Sequence, residues 1–222
     1  MLIVFTGLFM GFLHVLSGPD HLAAISPLAI EKKKSSWVIG LKWGIGHTSG
    51  VFVVGLLVLL FREIISIDIV SSFSERIVGI VLIGIGAWGL QKIFRSNLHI
   101  HSHNHDGVKH LHFHSHEEKI SHQDPIAHFH THTALIVGII HGLAGSSHLL
   151  GVLPALALPT KVEAASYLIS FGIGTILAMV IFSEVLGRVA YRFAEYGQKI
   201  YRGLSISFSS IAIAIGLFWI IK

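Results

Sequence analysis

The sequence predicts an all-α integral membrane protein with six transmembrane helices arranged as two inverted three-helix repeats. Its 222 residues are 52% hydrophobic and only 13% charged, with a mean hydropathy of +0.72, whereas soluble domains carry about 25% charged residues. The first and fourth apolar runs exceed the ~20 residues that cross a bilayer, so we expect these two to be bent or tilted. The runs that predict the helices are 2–30, 43–61, 77–91, 134–160, 164–183 and 203–221.

An internal repeat is the second observation. At an offset of 127 residues, identical residues of the first and fourth runs coincide, and at an offset of 128 Gly44-Ile-Gly46 falls on Gly172-Ile-Gly174. Three helices per repeat is an odd number, so the halves would enter the membrane from opposite sides, as in many secondary transporters. The matched pairs include Gly11–Gly138, His14–His141, Gly18–Gly145, His21–His148 and Pro27–Pro154.

The distribution of Lys and Arg predicts the orientation and the segments. Of the 16 such residues, eleven follow the first, third and fifth helices, four lie at the opposite ends, and Lys42 is left aside. Because cytoplasmic loops carry the excess of positive charge, both termini are predicted outside the cell. The segments are then 1–94, the first repeat; 95–133, a disordered cytoplasmic loop rich in histidine; and 134–222, the second repeat.

Ionisable residues interrupt the first apolar run. Asp20 and His21 follow Gly18-Pro19, where the proline removes a backbone donor and disfavours helical geometry at Gly18, so the helix should kink or unwind. His14 and His21 would share one face of a continuous helix. An ionisable group in hydrocarbon is costly and is by default functional, which indicates an ion path or a metal site. The alternative is a proline kink whose polar groups bond neighbouring helices.

Five of the 17 histidines lie in predicted helices, and His47 among them sits in a stretch of small residues that another backbone can approach. Imidazoles with one carboxylate and no cysteine suit nickel, cobalt, copper or zinc rather than magnesium or calcium. We therefore predict two layers of ligands on either side of the midplane, His14 with His148 and His21 with His141. The complete set of predicted metal ligands is His14, Asp20, His21, His47, His141 and His148.

The other twelve histidines crowd into the loop between the repeats. Tracts of this composition bind metal loosely and in several arrangements, so we predict an accessory loop that buffers metal, the alternative being a solvated linker. These residues are His99, His101, His103, His105, His110, His112, His114, His116, His122, His128, His130 and His132.

The stretch His14-Val-Leu-Ser-Gly-Pro-Asp20-His21-Leu-Ala-Ala resembles the signature helix of the nickel/cobalt transporter superfamily, and in particular its six-helix branch of urease-accessory nickel transporters. Gly46-His47-Thr48, His141-Gly142 and Gly145-Ser-Ser-His148 resemble that branch as well. In the best-known members four residues separate the first His from Asp-His, whereas five separate His14 from Asp20 here. The resemblance implies transport of nickel or cobalt in a family that contains both importers and exporters.

These observations together predict a secondary transporter, not an enzyme, that takes up Ni²⁺ or Co²⁺ across the cytoplasmic membrane by alternating access. The metal is then cargo rather than a bound cofactor, and the partners are the bilayer and a cytoplasmic metal acceptor or chaperone, with no nucleic acid. The alternatives are an efflux protein for metal resistance, a membrane metalloenzyme, which would need a cluster such as His-Glu-x-x-His that no helix contains, and a haem-binding cytochrome.

Overall fold

The computed structural model of the protein describes residues 1–31, 36–61, 67–95, 98–105, 108–115, 126–144, 151, 153–155 and 157–222. Within these ranges the chain is mainly helical, with one two-stranded hairpin between the fourth and fifth long helices. The elements are α1 (Leu2–Ser17), α2 (Pro19–Glu31), α3 (Ser36–Phe61), α4 (Ile67–Arg95), β1 (Leu98–His105), β2 (Val108–Ser115), α5 (Ile126–Ala144), α6 (Lys161–Tyr196) and α7 (Gln198–Ile221).

Three helices in the described part of the chain are long and apolar enough to cross a membrane: Glu75–Arg95 within α4, and the whole of α6 and α7. The pair of α1 and α2 meets the same test as one bent span, and His132–Ala144 is a shorter apolar helix. The chain is therefore a multi-pass membrane protein. Six spans are predicted, and the described residues account for three or four of them. The polar side chains of α3 and the position of residues 145–150 outside the described ranges explain the difference.

The first span is broken where the sequence predicts a kink. α1 ends at Ser17, α2 begins at Pro19, and the two helices are bent by 74°. Gly18 between them has an extended backbone, with φ −92° and ψ 100°, which is the conformation that a following proline favours. The prediction of a break at this point is confirmed.

Helices α1 and α6 lie side by side and run in the same direction. Gly7 lies against Ser170, and one turn later Gly11 lies against the backbone of Phe171. A Cβ at Gly11 would overlap the carbonyl oxygen of Phe171, so glycine is what lets these two backbones approach. Thr175 Oγ1 donates a hydrogen bond to the carbonyl of Gly11 over 3.4 Å.

Helices α3 and α5 form a second close pair, which is also parallel. Gly46 lies against the carbonyl of Leu135, and Gly50 lies against that of Ile139. On the facing helix Gly138 packs on the backbone of Trp43. Both members of this pair again use small residues where the backbones meet.

The two pairs meet through α3 and α6, which are antiparallel. Gly44 lies against Ile176, whereas Thr48, four residues further along α3, lies against the earlier residue Gly172 of α6. Because α1 runs with α6 and α5 runs with α3, α1 and α5 run in opposite directions.

Ordered contacts define both ends of α6. A capping box begins it: Thr160 Oγ1 accepts a hydrogen bond from the N–H of Glu163 at 3.2 Å, and Glu163 Oε2 accepts one from the N–H of Thr160 at 3.1 Å. Further along, Glu184 pairs with Arg188 at 2.7 Å and accepts a hydrogen bond from the N–H of Trp37 at 3.3 Å. The second contact connects α6 to the start of α3.

The hairpin lies inside the segment predicted to be a disordered loop. Its strands are antiparallel, from Leu98 opposite Ser115 to His105 opposite Val108, and α5 begins at Ile126 within the same segment. The structure differs here from the prediction. The sequence signal was two runs with the period of a strand, joined by Asp-Gly, a dipeptide typical of two-residue hairpin turns.

Candidate metal centre

The first turn of α2 holds a buried carboxylate between two imidazoles. Asp20 Oδ1 lies 3.1 Å from His21 Nδ1, and Asp20 Oδ2 lies 3.2 Å from His141 Nε2. Asp20 is 4% exposed, and both histidines are completely buried. The start of a helix offers free N–H groups and favours negative charge. The break in the span therefore gives the carboxylate polar surroundings that a continuous helix would not provide.

Gly18 makes room for this arrangement. A Cβ there would overlap His21 Nδ1 and come within 2.9 Å of Asp20 Oδ1. Its carbonyl accepts hydrogen bonds from the N–H groups of His21 and Leu22, at 3.1 and 3.4 Å. Gly18 thus begins α2 and leaves the space that the side chains of Asp20 and His21 occupy.

Helices α1 and α3 bring two more imidazoles to the same place. The ring centroid of His21 lies 4.7 Å from that of His14 and 4.9 Å from that of His47. The His141 ring lies 4.9 Å from His21 and 5.7 Å from His47. His47 is completely buried and His14 is half-buried. Residues from α1, α2, α3 and α5 thus form one cluster.

The donor atoms fall into two groups that share His21. In each group, His14–His21–His47 and Asp20–His21–His141, one ligand atom per residue lies within 4.8 Å of the others. Donors on opposite sides of one ion are about 4 Å apart, twice a bond of ~2.0–2.1 Å, so either group fits one ion after a contraction of less than about 1 Å. Imidazole nitrogens with one carboxylate suit a borderline transition-metal dication.

Five of the six predicted metal ligands lie in this cluster, and His148 lies outside the described residues. The side chains of the loop histidines are likewise outside the described part, apart from His132, which is exposed and nine residues before His141, about 13 Å along α5. The prediction of two separate layers is wrong for His14 and His21. It assumed a straight helix, and the bend at Gly18 brings the two rings into contact.

Two aromatic residues beside the cluster were not predicted. Trp43 stacks on His47, with ring centroids 4.7 Å apart and planes at 17°, and it also contacts His141 at 5.3 Å. Phe171 contacts His14 at 5.6 Å. The offset of 128 residues places Trp43 on Phe171 in the sequence, and this register could have identified both.

The comparisons with known proteins agree with the membrane fold. The family model described as cytochrome C biogenesis protein transmembrane region matches residues 2–211. The Chloroplast protein FOR GROWTH AND FERTILITY 2 of Arabidopsis thaliana is 36% identical over 213 residues, which are 96% of this chain and 54% of that protein. Urease accessory protein UreH of Bacillus sp. (strain TB-90) is 32% identical over 184 residues, 82% of this chain and 74% of that protein.

A third relative, from Methanocaldococcus jannaschii, is named provisionally as a nickel/cobalt efflux system and is 29% identical over 112 residues, 49% of this chain and 50% of that protein. The chain thus spans about half the length of two of these relatives. No solved structure matches it. None of the relatives' names denotes an enzyme. The chain belongs to the family of the cytochrome C biogenesis protein transmembrane region and, with UreH, to the nickel/cobalt transporter family.

Proposed function

We propose that this protein is a secondary transporter that takes up Ni²⁺, or Co²⁺, across the cell membrane by alternating access. The observation that carries the proposal is the buried cluster of Asp20 and four imidazoles at the break in the first span. Buried ionisable groups beside a discontinuous helix are the usual way in which transporters build an ion site. The relatives support the choice of metal, since two of them are named for urease accessory function and nickel/cobalt efflux. The ion is the substrate, and the proposal includes neither a catalytic residue nor a resident cofactor.

The two donor groups suggest the order in which the ion meets its ligands. His14 is half-buried, whereas His21, His47 and His141 are completely buried, so His14 is the first contact. The ion would bind among His14, His21 and His47 and then move to Asp20, His21 and His141. His21 belongs to both groups and keeps one ligand bound during the transfer. We keep His148 as a further ligand because the repeat equates it with His21.

Inverted three-helix repeats, with six spans in all, are the architecture that we propose for this movement. The contacts of the two halves support it, because they match residue for residue. Gly11 packs on Phe171, and Gly138, its counterpart at an offset of 127, packs on Trp43, the counterpart of Phe171 at 128. Antiparallel α1 and α5 are also what an inverted repeat requires.

The orientation and the loop complete the proposal. Both termini lie outside the cell and segment 95–133 lies in the cytoplasm, where its histidines hold the released ion and pass it to a cytoplasmic acceptor. The backbone pairing of the hairpin supports this role, because residues directly opposite in an antiparallel pair have Cα atoms about 4.5–5.5 Å apart. Histidines face histidines in register at His99–His114, His101–His112 and His103–His110.

Radioactive nickel flux into proteoliposomes tests the proposal. We expect uptake by the wild-type protein and loss of at least nine-tenths of the rate in Asp20→Asn and His21→Ala, since removing one ligand or its partner costs about tenfold or more in metal affinity. His132→Ala is the matched control, because it removes an exposed histidine outside the cluster. Equal flux through the wild type and both cluster variants would contradict the proposal.

Efflux by the same site is the second candidate, and the name of the Methanocaldococcus jannaschii relative favours it. Expression in a nickel-sensitive host separates the two directions. An importer makes cells more sensitive to nickel and an exporter protects them, and the Asp20→Asn variant should abolish whichever effect is seen.

A further inference from the structure

The same contact between an aromatic ring and an imidazole occurs twice in the protein. Trp43 lies 5.3 Å from His141 with the ring planes at 49°, and Phe171 lies 5.6 Å from His14 with the planes at 42°. Trp43 and Phe171 are counterparts at an offset of 128 residues, as His14 and His141 are at 127. Trp43 is 0% exposed and Phe171 is 2% exposed. Each half of the chain therefore covers one imidazole of the metal cluster with one buried aromatic side chain.

The two rings belong to different levels of the protein. Thr48 and Gly172 face each other across the antiparallel helices α3 and α6. Phe171, one residue before Gly172, is therefore level with position 49 of α3, which is six residues or about 9 Å from Trp43 along the helix axis. His47 lies between these two levels, so one ring stands on either side of it.

An ion can reach the buried imidazoles only if a neighbouring side chain moves. We propose that Phe171 and Trp43 are the two gates of the transport path, that each closes the metal cluster from one side, and that they open in turn. This inference rests on the proposed function, and in the proposed orientation Phe171 is the outer gate and Trp43 the inner gate. No hydrogen-bond partner holds the indole Nε1 of Trp43 among the described residues, so packing alone keeps this ring in place.

The inner gate also has a link to the metal that the outer gate lacks. Trp43 stacks on His47 with the planes at 17°, and the counterpart of His47 beside Phe171 is Thr175, which has no ring and is not a metal ligand of this type. An ion that pulls His47 into its coordination sphere must change the stacking surface under Trp43. Metal binding thus acts directly on the inner gate and leaves the outer gate to the movement of the helices.

Site-directed thiol labelling tests the two gates, because the chain contains no cysteine. The reporter is Thr175→Cys, a small buried side chain at the level between the gates. A membrane-impermeant maleimide is applied to one face or the other of vesicles. Since a closed path is open for at most about a tenth of the time, we expect Phe171→Ala to raise the labelling rate about tenfold or more from one face only. Trp43→Ala should do the same from the opposite face only.

Phe208→Ala and Trp219→Ala are the matched controls, because both side chains are aromatic, partly buried and packed elsewhere. They should leave labelling unchanged. Phe171→Leu and Trp43→Phe serve where an alanine variant does not fold, and they should give smaller changes with the same sidedness. Labelling that rises from the same face in both variants overturns the proposal, as does unchanged labelling in folded variants that still bind nickel.

Tryptophan emission tests the link between metal and inner gate separately. In a chain that keeps only Trp43, with Trp37, Trp88 and Trp219 replaced by phenylalanine, saturating nickel should change the emission, and His47→Ala should remove the change. Emission that is indifferent to bound nickel overturns the link. If the wild type moves no nickel but the sidedness of labelling is as stated, the transport proposal fails and the two barriers stand.

Discussion

Replacing Asp20 with asparagine should remove most of the stabilisation that nickel gives to the folded protein. Asp20 is the one buried carboxylate among the described residues, and it contacts His21 and His141 at 3.1 and 3.2 Å. Asparagine keeps the shape of the side chain, removes its charge and turns one acceptor oxygen into a donor nitrogen. The variant therefore alters the electrostatics of the site and the orientation of two imidazoles with little change in volume.

The size of the effect follows from these contacts. Loss of a group that orients metal-binding imidazoles typically costs about 10–100-fold in metal affinity. A dication and a carboxylate about 4 Å apart attract each other by roughly 8 kcal/mol at an effective dielectric constant near 20, twice the value for two unit charges. We expect the upper end of the range, a Kd about 100-fold higher.

Thermal unfolding in detergent, with and without nickel, measures this difference. At a nickel concentration 100 times its Kd the wild type gains about 2.7 kcal/mol, whereas a variant with a Kd 100-fold higher gains only about 0.4 kcal/mol. Comparing each variant with itself cancels any change in its stability without metal. Glu184→Gln is the control, because this carboxylate is paired with Arg188 away from the cluster. An equal nickel shift in Asp20→Asn and wild type would refute the argument.

Three further predictions concern the scaffold and the loop. Gly11→Ala and Gly138→Ala each force a Cβ against a backbone carbonyl, so each should lower the free energy of unfolding by about 1–3 kcal/mol; a change in only one of the two would argue against equivalent contacts. Thr160→Ala removes the capping box of α6 and should cost about 1 kcal/mol in the same denaturation experiment, with no change in nickel Kd. Deletion of 99–122, which spares α5, should lower the number of nickel ions bound per chain at saturation while flux continues; abolished flux would place the loop in the transport path.

The break in the first span could be predicted because its cause is local. Gly18 precedes a proline, and that pair alone disfavours helical geometry whatever surrounds it. The meeting of His21 with His141 followed from the repeat, which equates positions in the two halves without any knowledge of packing. Both inferences needed only the order of residues along the chain.

The separation of His14 from His21 could not be predicted in the same way. A straight helix puts residues seven apart about 10 Å from each other along its axis, but the ring centroids are 4.7 Å apart because the chain bends by 74° between them. A sequence indicates that a proline bends a helix and leaves the angle open, since neighbouring helices set it. Trp43 and Phe171 were missed for a similar reason: an aromatic residue in an apolar run is indistinguishable from core or lipid-facing residues until its neighbours are known.

The proposed repeat is close to symmetric in its contacts but not in its chemistry, and this difference bears on the direction of transport. Two halves with identical side chains would give the outward-open and inward-open states equal energies, so neither direction would be favoured. In the sequence, Asp20 corresponds to Ser147, and the carboxylate is therefore present on one side alone. His47 corresponds to Thr175, so one half alone couples a ligand to its aromatic neighbour. These two substitutions act on the bound state, where a few kcal/mol of differential ion binding is enough to shift the populations of the two states.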